Sequence, residues 1–522
     1  MDELNNKKYH NIETCVFYLL VLCSLYPMLT NPYFITMDGA AHIYNATILK
    51  NILFGDDWFG SFYEVNKEFV PNWFGHFALV FFKLFFTGET SDKLFLVCYG
   101  ILFPLSFRYL VQQISSRNIL VSYFIFPFMF TFVFTMGFYN YCFSLVFLFL
   151  IVGYYIKHNN SFTTLKNLIL SGLFILCYFS HLFSFITSIL ILWLYLLFNF
   201  LKEKNNIKER FILLFKKSFA LLFCSIIPLL LTGLYFYNRR DLPKNEVFIS
   251  ISDLTKELYD FRALYSYNTI EEEHFNKVYL VLFSIFSMVI LYTASNKIVQ
   301  QNKGLKYYLL HPSIIWVALC FLFIVIYYKM PDSAGYAGFI SVRIAIMIYI
   351  FFILFFATST INKFLQYGLV FVLLGTHFMH MRFKNSVQKD LNKYSVELSI
   401  IEKTIPNHSV IYPVDMSGNW LAGHFSNYLS ANKQILVLEN YEATNDYFPI
   451  KWKQKPECDL SIGIMNLNYN GVQQSKLIDY VLFQGTFATF QSTKNDFTLN
   501  ISLNYKFEMV FENYILFKNK KL

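Results

Sequence analysis

Charge is scarce in this sequence: only 15% of its 522 residues are Asp, Glu, Lys or Arg, against 56% hydrophobic, and the mean hydropathy is +0.41. That shortage excludes an ordinary soluble globule. Strict alternation of apolar and polar residues is also lacking; the apolar stretches run without interruption, which excludes a membrane β-barrel. Of the eight cysteines, Cys15, Cys23, Cys98, Cys142, Cys177, Cys224 and Cys320 fall in or beside apolar runs and Cys458 stands alone in the polar tail. No disulfide framework and no metal-type cysteine spacing follows from that distribution. A Walker A sequence, a G-x-G-x-x-G after a strand and an H-E-x-x-H are all absent, leaving nucleotide hydrolysis, dinucleotide chemistry and structural zinc without support. No small-residue cleavage pattern follows the first apolar run, so we read it as a retained helix and not a signal peptide. Internal repeats and low-complexity tracts are missing too.

What is present is a series of apolar runs of about 18 residues or more, long enough to cross the roughly 30 Å hydrocarbon core as helices. They define a polytopic α-helical membrane region over residues 1–384, including a first outside loop at 34–70. A polar C-terminal region follows over 385–522. Twelve candidate spans start with 14–33 and end with 364–383. The formal net charge of +9 comes from Lys and Arg in short loops beside spans, as in LKEKNNIKER at 201–210. The positive-inside rule accounts for it without nucleic acid. Basic loops near Lys157, at 201–217, near Lys303 and Lys306 and at Lys363 are expected to be cytoplasmic. That puts 34–70, the surroundings of His181, 238–275, 330–341 and the tail on the other side. Four full crossings between 71 and 157 would break this parity. One of the segments is therefore expected to be a juxtamembrane or bent piece, giving eleven spans, with twelve as the alternative. The tail mixes strand-like runs (SVIYP, QILVLE, YVLFQG, MVFENYILFK) with helix-like ones (LNKYSVELSIIEKTI, NWLAGHFSNYLSA), the pattern of a small soluble α/β domain.

Asp38 and His42 lie four residues apart just after the first span, on one face of a helix AAHIYNATILKNIL. Asp38 is a natural N-cap for that helix. Its position just outside a bilayer also suits a carboxylate receiving a head group from the lipid, since ionisable groups there are costly and purposeful. Arg343 enters an apolar run after a glycine-containing loop; it either snorkels or uses its planar fork to hold an anionic phosphate. Tyr139, Asn140 and His181 interrupt apolar runs at span ends, where they either bind substrate or bond a neighbouring helix. Glu64 and Glu68 are loop charges or a second acid. Glu271, Glu272 and Glu273 read as a solvated face. In the tail, Trp420, His424, Tyr428, Glu439 and Glu442 form either a sugar-binding set or a buried structural face.

The wording MDGAAHIYN, PNWFGH, GFYNY, YFSHLF, GFISVR and ENYEA, with the layout of a first span, an acidic outside loop, many spans and a tail, resembles a bacterial branch of the GT-C superfamily of polyprenyl-phosphate-dependent glycosyltransferases. The resemblance implies that Asp38 is the first-loop acid, acting as catalytic base or holding a metal, and that Arg343 neutralises the lipid-linked phosphate. Relatives carry an acidic pair in the second outside loop, where this chain has Tyr139-Asn140 and no carboxylate. The expectation is thus an inner-membrane, multi-pass enzyme with a periplasmic C-terminal domain. It moves a sugar, with inversion, from a polyprenyl-phosphate carrier among the membrane lipids to an acceptor glycan, lipid or protein. Asp38 and His42 are its catalytic groups; Arg343, His181, Asn140, Tyr139 and Glu64 bind substrate, and a divalent metal is optional. The alternatives are a transporter or flippase of a lipid-linked or small polar substrate, and a non-catalytic membrane scaffold.

Overall fold

A computed structural model of the chain describes all residues except 1, 160, 162, 204–205, 244, 268, 302–309, 336, 360, 454–477 and 493–500. Cys458, Lys303 and Lys306 lie outside the described residues. The other seven cysteines are unpaired. The chain divides into two compact units.

The first unit comprises 1–26, 98–134 and 139–384 and is helical. Among the described residues of the whole chain, eight helices are long and apolar enough to cross a membrane: 88–114, 116–135, 139–158, 182–202, 207–238, 270–293, 340–358 and 363–404. Apolar helices 11–24, 164–180 and 313–329 are shorter, and Phe74–Lys83 has only 10 residues. At 1.5 Å per residue that last helix spans about 15 Å, half a bilayer core. Of the four crossings counted between 71 and 157, the first, at 71–87, is therefore a short piece. Ser116–Phe130 is wound as a tight 3-10 helix rather than an α-helix.

Two buried charges of this unit are paired. Arg108 donates to both oxygens of Glu13 at 2.8 and 2.6 Å while its guanidinium covers the Phe17 ring. Glu272 corrects the solvated-face expectation for the 271–273 run, because it is fully buried. It accepts from the backbone N–H groups of Ser266 and Tyr267 at 2.8 and 2.7 Å and bonds His380 Nε2 at 2.8 Å. Neighbouring Glu271 faces outward.

The second unit comprises 27–97, 135–138 and 385–522. The first loop thus packs with the C-terminal region. Helix Gly39–Leu53 is buried from Gly39 to Leu49. It stops where Phe54 N and Gly55 N bond back to Lys50 O and Ile52 O, with Gly55 at φ +83°, a backbone state open to glycine at low cost. Asp56 then caps Asp57–Phe62 by accepting from Phe59 N at 2.9 Å. Strand β1 (Tyr63–Val65) follows.

The C-terminal strands are β2 (Val410–Asp415), β3 (Leu436–Val437), β4 (Ile450–Trp452), β5 (Tyr480–Gln484), β6 (Tyr505–Val510) and β7 (Tyr514–Asn519). They form a mixed five-stranded sheet in the order β3-β2-β5-β7-β6, while β1 pairs antiparallel with β4. β2 is parallel to β3 and β5; β7 is antiparallel to β5 and β6. Each strand-like run of the tail became a strand. The run NWLAGHFSNYLSA did not become the expected α-helix. It forms two 3-10 turns, Trp420–Ala422 and Phe425–Ser430, the first started by the Asn419 side chain accepting from Leu421 N. Such side-chain bonds to nearby backbone compete with helix formation.

Candidate functional site

The second unit brings helix Gly39–Leu53 against the C-terminal segment 437–442 through a fully buried polar network. Asn45 and Asn440 exchange reciprocal amide bonds of 3.1 and 2.9 Å. The Tyr44 hydroxyl donates to Val437 O and accepts from Val437 N, and it touches the Tyr63 hydroxyl at 3.1 Å. Tyr63 in turn stacks on Trp452 with ring centres 4.2 Å apart. Buried polar networks of this kind fix one arrangement, because any slip leaves donors and acceptors unmatched.

That arrangement sets Asp38 at the head of the helix. It occupies the N-cap position, yet its side chain makes no cap hydrogen bond. Its Oδ1 instead lies 3.7 Å from Nε2 of His424. Burial raises its pKa above the usual carboxylate range, with the charge of His424 opposing. His424 stacks on Tyr441 at 4.5 Å and bonds Glu439 through Nδ1 at 2.9 Å. The other oxygen of Glu439 accepts from Asn427 at 2.8 Å. Burial lowers the His424 pKa, but the Glu439 carboxylate outweighs it and lifts the value to about 9.

The backbone around Asp38 is clamped as well. Met37 N and Asp38 N donate to Thr135 O and Met136 O at 3.0 and 3.1 Å, and Gly137 adopts φ +90° directly against Asp38.

His42, one turn on, directs both ring nitrogens elsewhere: Nε2 to Gly137 O at 2.8 Å and Nδ1 to Glu442 Oε1 at 2.5 Å. Glu442 Oε2 meets His76 Nε2 at 2.7 Å. The two imidazoles meet edge to face at 5.2 Å, and Phe448 lies against both. The neighbour beside the Asp38 carboxylate is thus His424, from the distant tail.

In the first unit, Arg343 and His181 come together with Tyr141. Arg343 Nη1 lies 3.2 Å from His181 Nε2, its backbone oxygen accepts from the Tyr141 hydroxyl at 2.9 Å, and the Tyr141 ring meets His181 at 5.3 Å. Arg343 is half-buried at the start of helix Ile340–Thr358. Tyr139 and Asn140 are buried on the first turn of helix Tyr139–His158. Glu64 is exposed on β1, paired in register with Lys451.

His76 was not singled out among the chemistry-bearing residues, and the tail residues Glu439 and Glu442 were not tied to the first loop. The motifs PNWFGH and ENYEA contained them, but nothing in linear spacing joins residues 42, 76 and 442. No protein-family model and no curated protein matches this chain.

Proposed function

We propose that the protein is a membrane glycosyltransferase of the GT-C type, transferring a sugar with inversion from a polyprenyl-phosphate carrier to an acceptor hydroxyl. It would sit in the inner membrane as a multi-pass protein with its second unit on the periplasmic side. The observation that carries the reading is Asp38: a buried carboxylate at a helix start that does not cap the helix and instead faces the His424 imidazole at 3.7 Å. A carboxylate with a raised pKa is the better proton acceptor, and burial is the means by which proteins make one.

In the proposed reaction the acceptor oxygen attacks the anomeric carbon while Asp38 takes its proton. The bond from that carbon to the phosphate oxygen breaks, and polyprenyl phosphate leaves with the electron pair. Because the leaving group is already an anion, positioning and charge supply most of the rate.

The test is release of polyprenyl phosphate from a panel of polyprenyl-phosphate sugars by the purified full-length chain. Asp38→Asn keeps the shape and removes the base, so release should fall by about a hundredfold or more with unfolding unchanged. No release by the wild-type chain from any member of the panel, or equal release by Asp38→Asn, refutes the reading.

A further inference from the structure

We infer that His42, His76 and Glu442 form a binding site for a borderline divalent transition metal, with zinc as the type ion. The inference does not depend on the reaction proposed above.

Three donors from three distant chain segments converge. The ligand-capable atoms of the two imidazoles and the carboxylate all lie within 4.8 Å of one another, and all three residues are buried. Glu442 is fully buried, and His76 is 1% exposed. A carboxylate and two histidines are a known zinc donor set, which leaves one coordination position for water or a substrate atom. Two imidazoles disfavour magnesium and calcium, which take oxygen.

The hydrogen-bond geometry narrows what the cluster is built to hold. Gly137 O can only accept, so the 2.8 Å contact from His42 Nε2 fixes the proton on that nitrogen. In the neutral ring, Nδ1 then presents a lone pair to Glu442 Oε1 at 2.5 Å. Two lone pairs at that distance repel, so either a proton or a metal ion stands between them, and the convergence of His76 on the same carboxylate suits the metal. The Nε2 contact to a backbone carbonyl is also the outer-shell partner that metal-ligating histidines commonly have. Zinc–nitrogen and zinc–oxygen bonds of about 2.0–2.2 Å in a tetrahedral site put ligand atoms about 3.3 Å apart. The contacts of 2.5 and 2.7 Å need only open by several tenths of an ångström. Rotation of the two rings and the carboxylate about their side-chain bonds supplies that much.

The test uses the full-length chain in detergent, purified without a histidine tag. Elemental analysis should find about one zinc per chain. After chelation, titration with Co(II) should saturate at one equivalent with the visible absorption of a four- or five-coordinate ion, and zinc should displace it while excess magnesium should not. His76→Asn and Glu442→Gln should each weaken Co(II) binding by about a hundredfold. Glu442 is wholly buried, so the wild-type titration stands as its own arm. A wild-type chain that neither carries zinc nor takes up Co(II) at micromolar concentration overturns the inference, as does a His76→Asn chain that binds as the wild type does.

Discussion

Gly137→Ala adds one methyl group where the second unit packs tightly against Asp38. Gly137 has φ +90°, and a Cβ built on it would stand 2.7 Å from the Asp38 Cβ and 2.9 Å from the Asp38 backbone nitrogen. Neither side can retreat cheaply. Met37 and Asp38 are hydrogen-bonded to Thr135 and Met136, and the Gly137 carbonyl holds His42. An L-residue in the left-handed region costs about 1–2 kcal/mol, and overpacking a fixed site costs about 1–3 kcal/mol more. The sum is a loss of about 2–5 kcal/mol.

Gly55→Ala is the matched control. Gly55 has φ +83°, but an added Cβ there meets nothing within 4 Å, so only the backbone cost of about 1–2 kcal/mol applies. Both variants are to be compared with the wild type by denaturant titration of the full-length chain in detergent, followed by tryptophan fluorescence. The difference between them reports the crowding against Asp38 alone and should be about 1–3 kcal/mol. Release of polyprenyl phosphate and Co(II) binding should both fall in Gly137→Ala and persist in Gly55→Ala, because only the former displaces Asp38 and His42. Equal stability of the two variants would show that the 135–138 segment is not seated against Asp38 as described.

Three further outcomes are expected. His424 faces Glu439, Asp38 and, at longer range, Glu442, and its pKa rises from 6.5 to about 9; the stabilisation is therefore complete below pH 6.5 and lost as pH rises through 9, amounting to at most about 3 kcal/mol. Unfolding curves from pH 6 to 10 should show that alkaline loss in the wild type and a flatter profile in His424→Gln; parallel profiles would exclude His424 as its source. Asn45→Ala and Asn440→Ala should each cost about 1–3 kcal/mol by leaving a buried amide unmatched, and the double variant should cost clearly less than their sum; strict additivity would mean that the two amides do not bond. Glu272→Gln should destabilise by about 3 kcal/mol or more, because His380 and Lys384, whose Nζ lies 3.9 Å from Glu272 Oε1, keep their places around a lost charge, while Glu271→Gln stays within about 0.5 kcal/mol; similar values for both would return residue 272 to the surface.

Much of the architecture was legible from composition and run length. Uninterrupted apolar runs name membrane-length helices directly, and the strand-like runs of the tail named β2, β5 and β7, because buried strands are apolar throughout. Legibility failed where tertiary contact decides. The glutamate run at 271–273 looked solvated because adjacency carries no direction, whereas helix geometry turns Glu272 alone inward to His380. The run NWLAGHFSNYLSA has helical apolar spacing, but Asn419 diverts it into 3-10 turns. Asp38 was legible as a helix start, and its spacing to His42 suggested a pair. The partner that reaches it is His424, almost four hundred residues away, which no periodicity reports.

The charges of the second unit bear on the metal from a separate direction. Asp38, Glu439 and Glu442 are three carboxylates, each less than a tenth exposed, and burying unpaired anions costs several kcal/mol each. Their near neighbours are three imidazoles, of which His424 is held protonated by Glu439. If His42 and His76 serve as neutral ligands, one zinc ion and the His424 imidazolium together cancel the three carboxylates. Without the ion, the same balance requires a proton on His42 and on His76 as well as on His424. A buried cluster is more stable when neutral. The same count predicts that chelation will lower the unfolding temperature of the wild type by more than that of Glu442→Gln, in which the site and one of its charges are removed together. An equal response of the two to chelator would mean that the ion, if bound, is held elsewhere.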